Sequence, residues 1–372
     1  MIPLARPFFD SGEVEELQEV LASGWVSQGP KVKEFEQSVA GFVGAKYAIA
    51  VSNCTAALHL ANLAAGITKG DEVLVADYTF PATGHSVLYC GAKPVFVDID
   101  PKTYNIDPEK IEKKITRRTR AIIPVHTFGQ AADMDPILNI AEKYNLRVIE
   151  DAACALGSKY HNRCAGTLGD IGCFSFHARK GITTGEGGMV VTSDQEIAEK
   201  IRYLSVFGMK TAWEREGSDS FTIPRFFDVG YNYKMSDISA AVGIAQMRKI
   251  RKIIQRKREL AKYWDGLLDE MPLIAKPATA RGCYHIYQSY VALVDAGVNR
   301  NSVIEKMAKE GIQTQIGTYA SHIQPVYKDA GKCPVSKKIY DRALALPMFY
   351  SLNKEEIDTI SGVLSKVLRS AP

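Results

Sequence analysis

Between residues 47 and 192 the chain alternates short apolar runs with longer amphipathic stretches. The runs are YAIAV (47–51), EVLVA (72–76), PVFVD (94–98), AIIPV (121–125), LRVIE (146–150), CFSF (173–176) and MVVT (189–192). Each is too short for a helix and most are rich in β-branched residues, so each predicts a buried strand. Between them, TAALHLANLAAG (55–66) and MDPILNIAEKYN (134–145) place apolar residues at helical spacing, the second opening after an Asp with Pro in its first turn. This rhythm predicts an α/β domain on a mainly parallel seven-stranded sheet, with helices covering its faces. GYNYKMSDISAAVGIAQM (230–247) then leads into MRKIRKIIQRKRELAKYW (247–264), a long basic amphipathic helix that reads as a connector with a solvated charged face. Beyond it, YQSYVALV (287–294) predicts a strand, and SVIEKMAKEG (302–311) and the stretch from Lys354 predict helices. The expected division is a large domain over 1–246, including the N-terminal segment, and a small α+β domain over 247–372.

Composition narrows the partners. The 372 residues, 46% of them hydrophobic, suffice for a large and a small domain sharing a cleft. Lys+Arg 46 against Asp+Glu 42 gives a formal charge of +4, too balanced for a nucleic-acid protein, and no aromatic platform accompanies the basic helix. No apolar run approaches the roughly 18 residues of a membrane span, and the opening MIPLARPFFDSGEVEEL lacks the pattern of a signal peptide. A cytoplasmic protein with a small-molecule substrate is expected. Seven cysteines without a CxxC pair signal neither a disulfide framework nor a zinc site.

In open α/β sheets ligands gather beyond the carboxyl ends of the strands, so residues just after strand runs carry the candidate chemistry. In VSNCTAALHL a strand gives way to small polar residues and a helix starting near Thr55, whose unpaired N–H groups suit a phosphate or simply an ordinary cap. In LRVIEDAACALG the strand delivers Glu150 and Asp151, acids able to cap a helix, bind a metal or neutralise a cationic ring nitrogen. In GDIGCFSFHARKGITTGEGGMVVT, Lys180 lies between a strand and a compact Gly-rich segment, surroundings expected to desolvate the amine, depress its pKa and make it a nucleophile toward carbonyls. That segment is neither GxGxxG nor a Walker A loop, which argues against nicotinamide and nucleoside-triphosphate enzymes. In ADYTFPATGHS, Phe80 follows a strand and could pack or stack on a flat ring. Together these parts form an inventory for pyridoxal 5′-phosphate: a lysine for the aldehyde, an acid for the pyridine nitrogen, an aromatic for the ring and a helix start for the phosphate. A cysteine hydrolase using Cys154 or Cys164 finds no paired histidine.

On SGWVSQGPKVKEFE, SNCTAALHLA, DYTFPAT, CGAKPVFVDIDPKTYNID, VHTFGQAADMDPI, VIEDAACALGSKY, GDIGCFSFHARKGITTGEGGMV and GYNYKMSDISAAVGIAQ, the chain resembles the DegT/DnrJ/EryC1/StrS aminotransferases nearly end to end. The resemblance implies a fold-type I pyridoxal-phosphate enzyme acting on a nucleotide-linked keto sugar. It implies Lys180 as the lysine that holds the cofactor, Asp151 as the partner of the ring nitrogen and Phe80 as the stacking aromatic. Thr55, Ser175 and the backbone from Cys54 to Ala56 would hold the phosphate, and Asn232 would reach the phosphate of the neighbouring subunit in an obligate homodimer. Trp25, Cys154, His177, Glu186 and His322 are candidate substrate contacts. The stretches nearest the perosamine-synthase branch imply transfer from L-glutamate, released as 2-oxoglutarate, to C4 of a 4-keto-6-deoxy sugar. The same fold also hosts 3-keto-sugar, keto-inositol and aminobenzoate-type chemistry, and non-catalytic sensors. Four positions depart from the family pattern. Cys154 stands where Gln, His or Glu is frequent, Cys54 where glycine is usual, and Gly317 and Thr318 where many relatives have His-Tyr.

Overall fold

The structure, a computed structural model, describes residues 1–209, 223, 225–226, 228–327 and 330–370. Two helices come first, α1 (Ser11–Ser23) and α2 (Pro30–Val43). The central sheet is built from β1 (Tyr47–Val51), β2 (Glu72–Ala76), β3 (Lys93–Val97), β4 (Thr119–Ile123), β5 (Arg147–Asp151), β6 (Ile171–Ser175) and β7 (Gly188–Thr192). Their spatial order is β1-β7-β6-β5-β4-β2-β3. β7 runs antiparallel to both its neighbours and the other six are parallel, which is the mainly parallel sheet of seven that the apolar runs predict. β1, β2, β6 and β7 are buried almost throughout, as strands covered on both faces must be. Helices α3 (Cys54–Ala64), α4 (Ala82–Tyr89), α5 (Met134–Tyr144) and α6 (Gln195–Leu204) follow β1, β2, β4 and β7.

The basic segment is part of α7 (Asp237–Leu268), a 32-residue helix. At its start the Asp237 carboxylate accepts from the N–H groups of Gly29 (2.8 Å), Lys31 (3.1 Å) and Val32 (3.0 Å), capping α2, whose own N-cap residue has no side chain. Ala240, Ile244, Met247, Ile250, Ile253 and Ile254 pack into the core of the large sheet. Leu260, Ala261, Trp264 and Leu268 pack into a second core. The division at 246/247 therefore falls inside one continuous helix. The second core lies on a four-stranded antiparallel sheet, β8 (Ile274–Ala275), β9 (Tyr290–Val294), β10 (Gln315–Ile316) and β11 (Ala343–Leu346), in the order β8-β9-β11-β10. Helices α8 (Arg300–Lys309), α9 (Pro334–Arg342) and α10 (Lys354–Arg369) complete it. Tyr319–Ala320 returns to pair with Tyr78–Thr79, and Cys283–Tyr284 with Lys159–Tyr160. No helix among the described residues is long and apolar enough to cross a membrane.

β5 shows how strand alternation separates two adjacent acids. Glu150 is wholly buried on one side, where it accepts from the N–H groups of Gly166 (2.7 Å), Leu168 (2.6 Å) and Gly169 (2.7 Å). His126 completes the cage: its Nδ1 accepts from Ala132 N–H, so Nε2 carries the proton that goes to Glu150 at 2.7 Å. Glu150→Ala orphans these donors and should lower unfolding free energy by about 3–5 kcal/mol, read in a denaturant melt, while the candidate site one residue on keeps its side chains.

Candidate active site

A cavity of about 390 Å³ opens at the carboxyl ends of the parallel strands, closed on the far side by residues of β10 and β11. Its wall carries Asn53 to Thr55 after β1, Tyr78 to Phe80 after β2, Thr127 and Phe128 after β4, Asp151 at the end of β5, and Ser175 and His177 from β6 onward. All four strand-end segments singled out by the sequence thus meet in one place, as a doubly wound sheet requires.

At one end, Asn53 caps α3 by accepting from Ala56 N–H at 2.8 Å. The helix begins at Cys54, one residue before the sequence places it, and the Ala56 N–H is therefore not available to a phosphate. The N–H groups of Cys54 and Thr55, in the first turn, have no acceptor among the described residues, and the dipole end adds its own attraction for an anion. Cys54 has helical backbone, so glycine's freedom is not needed there. The close approach is made instead by Gly188, where an added Cβ would lie 2.4 Å from the Asn53 carbonyl carbon and 2.7 Å from Cys54 N. Gly188→Ala should push this turn out of register and weaken cofactor retention roughly tenfold, measured by titrating the visible absorption of the bound cofactor.

Asp151 is buried on the opposite face of β5 from Glu150. Thr83 Oγ1 donates to its Oδ2 at 2.7 Å and Ala153 N–H to its Oδ1 at 3.1 Å, which fixes the plane of the carboxylate. Lys180 follows the turn after β6, its N–H bonded to His177 C=O at 2.9 Å, and its Nζ donates to Cys154 Sγ at 3.1 Å. The expectation of a depressed pKa fails here. Burial pulls the amine down, but the neighbouring Cys154, Cys54 and Asp151 outweigh it, and the Lys180 pKa lies above the ordinary lysine value. Cys154 is thus the immediate partner of the lysine amine, a role sulfur fills as a weak acceptor. The Cys54 thiol, buried beside them, is pushed well up by burial.

Phe80 lies on the cavity wall with 62% of its surface exposed, edge-on to Tyr319 at a centroid distance of 6.1 Å. His177 and Glu186 also line the cavity, 3.8 Å apart between Nε2 and Oε1, and Ser175 Oγ accepts from His177 N–H at 3.4 Å. Four candidate site residues singled out in the sequence lie outside this cavity: Ala56, whose N–H goes to the Asn53 cap, and Trp25, His322 and Asn232. The Trp25 indole N–H donates to Gln28 C=O at 3.1 Å. His322 is held by Asp77, which accepts both its backbone N–H and its Nδ1–H at 2.7 Å. Asn232 sits in a short bridge to Val206 and accepts from Lys234. Gly317 and Thr318 line the cavity, and their identity has a reason: a Cβ at Gly317 would fall 2.4 Å from Tyr78 Oη, which itself accepts from Thr318 N–H at 3.2 Å. Thr83, Thr127 and Phe128 were missed as site residues, although the last two lie within five residues of the end of β4 and strand position alone could have found them. Gln288 was missed too, and no local signal marks it.

The residues present suit pyridoxal 5′-phosphate: free N–H groups and a hydroxyl for a phosphate, a rigid buried carboxylate for a ring cation, an aromatic face and a half-buried amine. The chain matches the DegT/DnrJ/EryC1/StrS aminotransferase family over residues 8–365. It is 40% identical over 380 residues to the spore coat polysaccharide biosynthesis protein SpsC of Bacillus subtilis, covering 100% of this chain and 98% of that protein. To the GDP-perosamine synthase of Caulobacter vibrioides it is 38% identical over 379 residues, covering 99% and 98%. Among solved structures, Spr1654 of Streptococcus pneumoniae, described as a sugar aminotransferase and captured in its PMP form, superposes with a TM-score of 0.94 at 26% identity, covering 100% of both chains. The chain belongs to the DegT/DnrJ/EryC1/StrS family of pyridoxal-phosphate-dependent sugar aminotransferases.

Proposed function

We propose that the enzyme moves the amino group of L-glutamate, released as 2-oxoglutarate, to C4 of a nucleotide-linked 4-keto-6-deoxy sugar. The observation that carries this reading is the half-buried Lys180 amine and the rigidly held Asp151 carboxylate on the wall of one cavity. The similarity to a GDP-perosamine synthase supports a nucleotide-linked sugar as the acceptor. When bound, pyridoxal phosphate supplies an electron sink for the carbon that loses its proton. Lys180 Nζ would take the proton from the donor's α-carbon and, in the second half-reaction, supply one to the acceptor carbon. Asp151 would keep the ring nitrogen protonated, Phe80 would cover the ring, and Thr55, Ser175 and the N–H groups of Cys54 and Thr55 would bind the phosphate. His177, Glu186 and Cys154 face the substrate.

The acting unit in this reading is a homodimer. Asn232 lies outside its own cavity, and Phe80, Tyr89, Phe207 and Val229 leave apolar surface exposed that a second copy would cover. A cytoplasmic setting accords with seven cysteines in the thiol form.

The test is the visible spectrum of the pyridoxal-phosphate-loaded protein before and after L-glutamate, without a keto acceptor. Conversion of the yellow lysine-bound band to the pyridoxamine form is the expected outcome. A band that ignores glutamate but responds to another amine rules out the donor. Keto sugars with the ketone at C3 or C4 are then offered to the pyridoxamine form, and amination of only the 3-keto sugar rules out the C4 reading.

A further inference from the structure

A buried lysine stands behind the site, and the chemistry above gives it no role. Lys257 lies on α7 between Ile254, which packs in the large core, and Leu260, which packs in the second. It is 5% exposed, and its Nζ makes one hydrogen bond, to Gln288 C=O at 2.7 Å. No carboxylate pairs with it among the described residues. Nearby ionisable groups are Cys154, which partly supports its charge, Arg258, which donates to His285 C=O, and His285, which burial holds down at about 3. Burial brings the Lys257 amine itself down to about 8. A small cavity of about 20 Å³, enough for one water, adjoins Lys257 and the turn from Ala178 to Thr183.

A buried cation without an anion is costly, and a methionine of similar length would fill the same space more cheaply. What the charge provides is a strong hold on one carbonyl. Gln288 lines the main cavity, and its side-chain Nε2 donates to Arg179 C=O at 2.7 Å. Arg179 immediately precedes Lys180, and its N–H is bonded to His177 Nδ1 at 3.2 Å. The turn that carries Lys180 is therefore gripped at Arg179 from both sides, and one grip is anchored through Gln288 on the α7 ammonium. We infer that Lys257 is a positioning residue for Lys180: its ammonium fixes the Gln288 main chain, so that the Gln288 amide holds the Arg179 carbonyl and with it the aim of the Lys180 amine. This inference rests on the reading of Lys180 as the reactive amine.

The experiment uses the full-length protein loaded with pyridoxal phosphate and follows a single turnover with L-glutamate. Lys257→Met should keep the melting temperature and the lysine-bound absorption band. Its limiting rate should fall roughly tenfold while half-saturation by glutamate stays within about twofold, the signature of lost aim rather than lost binding. Lys257→Arg, which keeps the charge, should recover most of the rate. Gln288→Leu should reproduce the loss, and the double variant should lose no more than either single one. Additive losses, or wild-type rates in Lys257→Met with a normal band, overturn the inference. Should Lys257→Met fail to fold, Gln288→Leu decides: an unchanged limiting rate overturns the inference and a selective fall supports it. A wild-type protein that forms no band overturns the reading of Lys180 itself, and this inference with it.

Discussion

Replacing Lys180 with alanine should lower the first half-reaction with L-glutamate by roughly 10³- to 10⁴-fold while leaving the fold and cofactor binding in place. Among the described residues the side chain makes only one hydrogen bond, to Cys154 Sγ, so its removal leaves no strongly polar group stranded there. The start of α3 at Cys54 and Thr55, where we propose the phosphate binds, and the Asp151 carboxylate belong to other elements and stay where they are. Cofactor should therefore be retained without the spectrum of a lysine adduct, and rapid mixing with glutamate should show a slow or absent change of band. A small primary amine added to the solution should restore part of the rate, since the missing function is proton transfer at one nitrogen. Near-wild-type turnover by the alanine variant would remove Lys180 from the chemistry.

Asp151→Asn is the second large effect, about 10²-fold or more on the same half-reaction. Asparagine keeps the shape: its Oδ1 can still accept from Ala153 N–H, and its Nδ2 can donate to the Thr83 hydroxyl in place of the oxygen that accepted from it, so the change is chiefly one of charge at a fixed place. Without that charge the ring nitrogen loses the partner that holds its proton, and the carbon acid in the substrate becomes harder to ionise. Thr83→Val, which removes the hydroxyl but not the charge, should cost only several-fold. Comparing the two variants by single-turnover rate separates the charge of Asp151 from its orientation. Equal effects would mean that orientation alone matters.

The periodic parts of the chain were legible because burial on both faces of a parallel sheet forces continuous apolar runs. The seven runs appear as strands within one or two residues, and the helix from Lys354 starts at that residue. The strand-end rule then located Thr55, Phe80, Asp151, Ser175 and Lys180 around one cavity without any long-range information. What escaped is what depends on distant approach. Gln288 reaches the cavity from a segment that pairs across two cores, and Thr83 matters only because a helix turn carries it under Asp151. The Lys180 pKa was misjudged for the same reason: desolvation is suggested by sequence, but the compensating Cys154, Cys54 and Asp151 come from two other strand ends. Glu150 and Asp151 read as a pair in sequence, and only the pleat shows one closing a loop and the other facing the cavity.

The helix of 32 residues has a consequence for how the protein comes apart. At 1.5 Å per residue it spans about 48 Å, long enough for one rod to serve both cores. Its first turn caps α2 and its last turns bury Trp264, so neither core can lose order without exposing apolar surface on the same rod. Denaturation is then expected to run as one cooperative event rather than two, and a cut between residues 246 and 247 would leave ten of the 32 helical residues on one fragment and the rest on the other, the apolar side having lost its continuity.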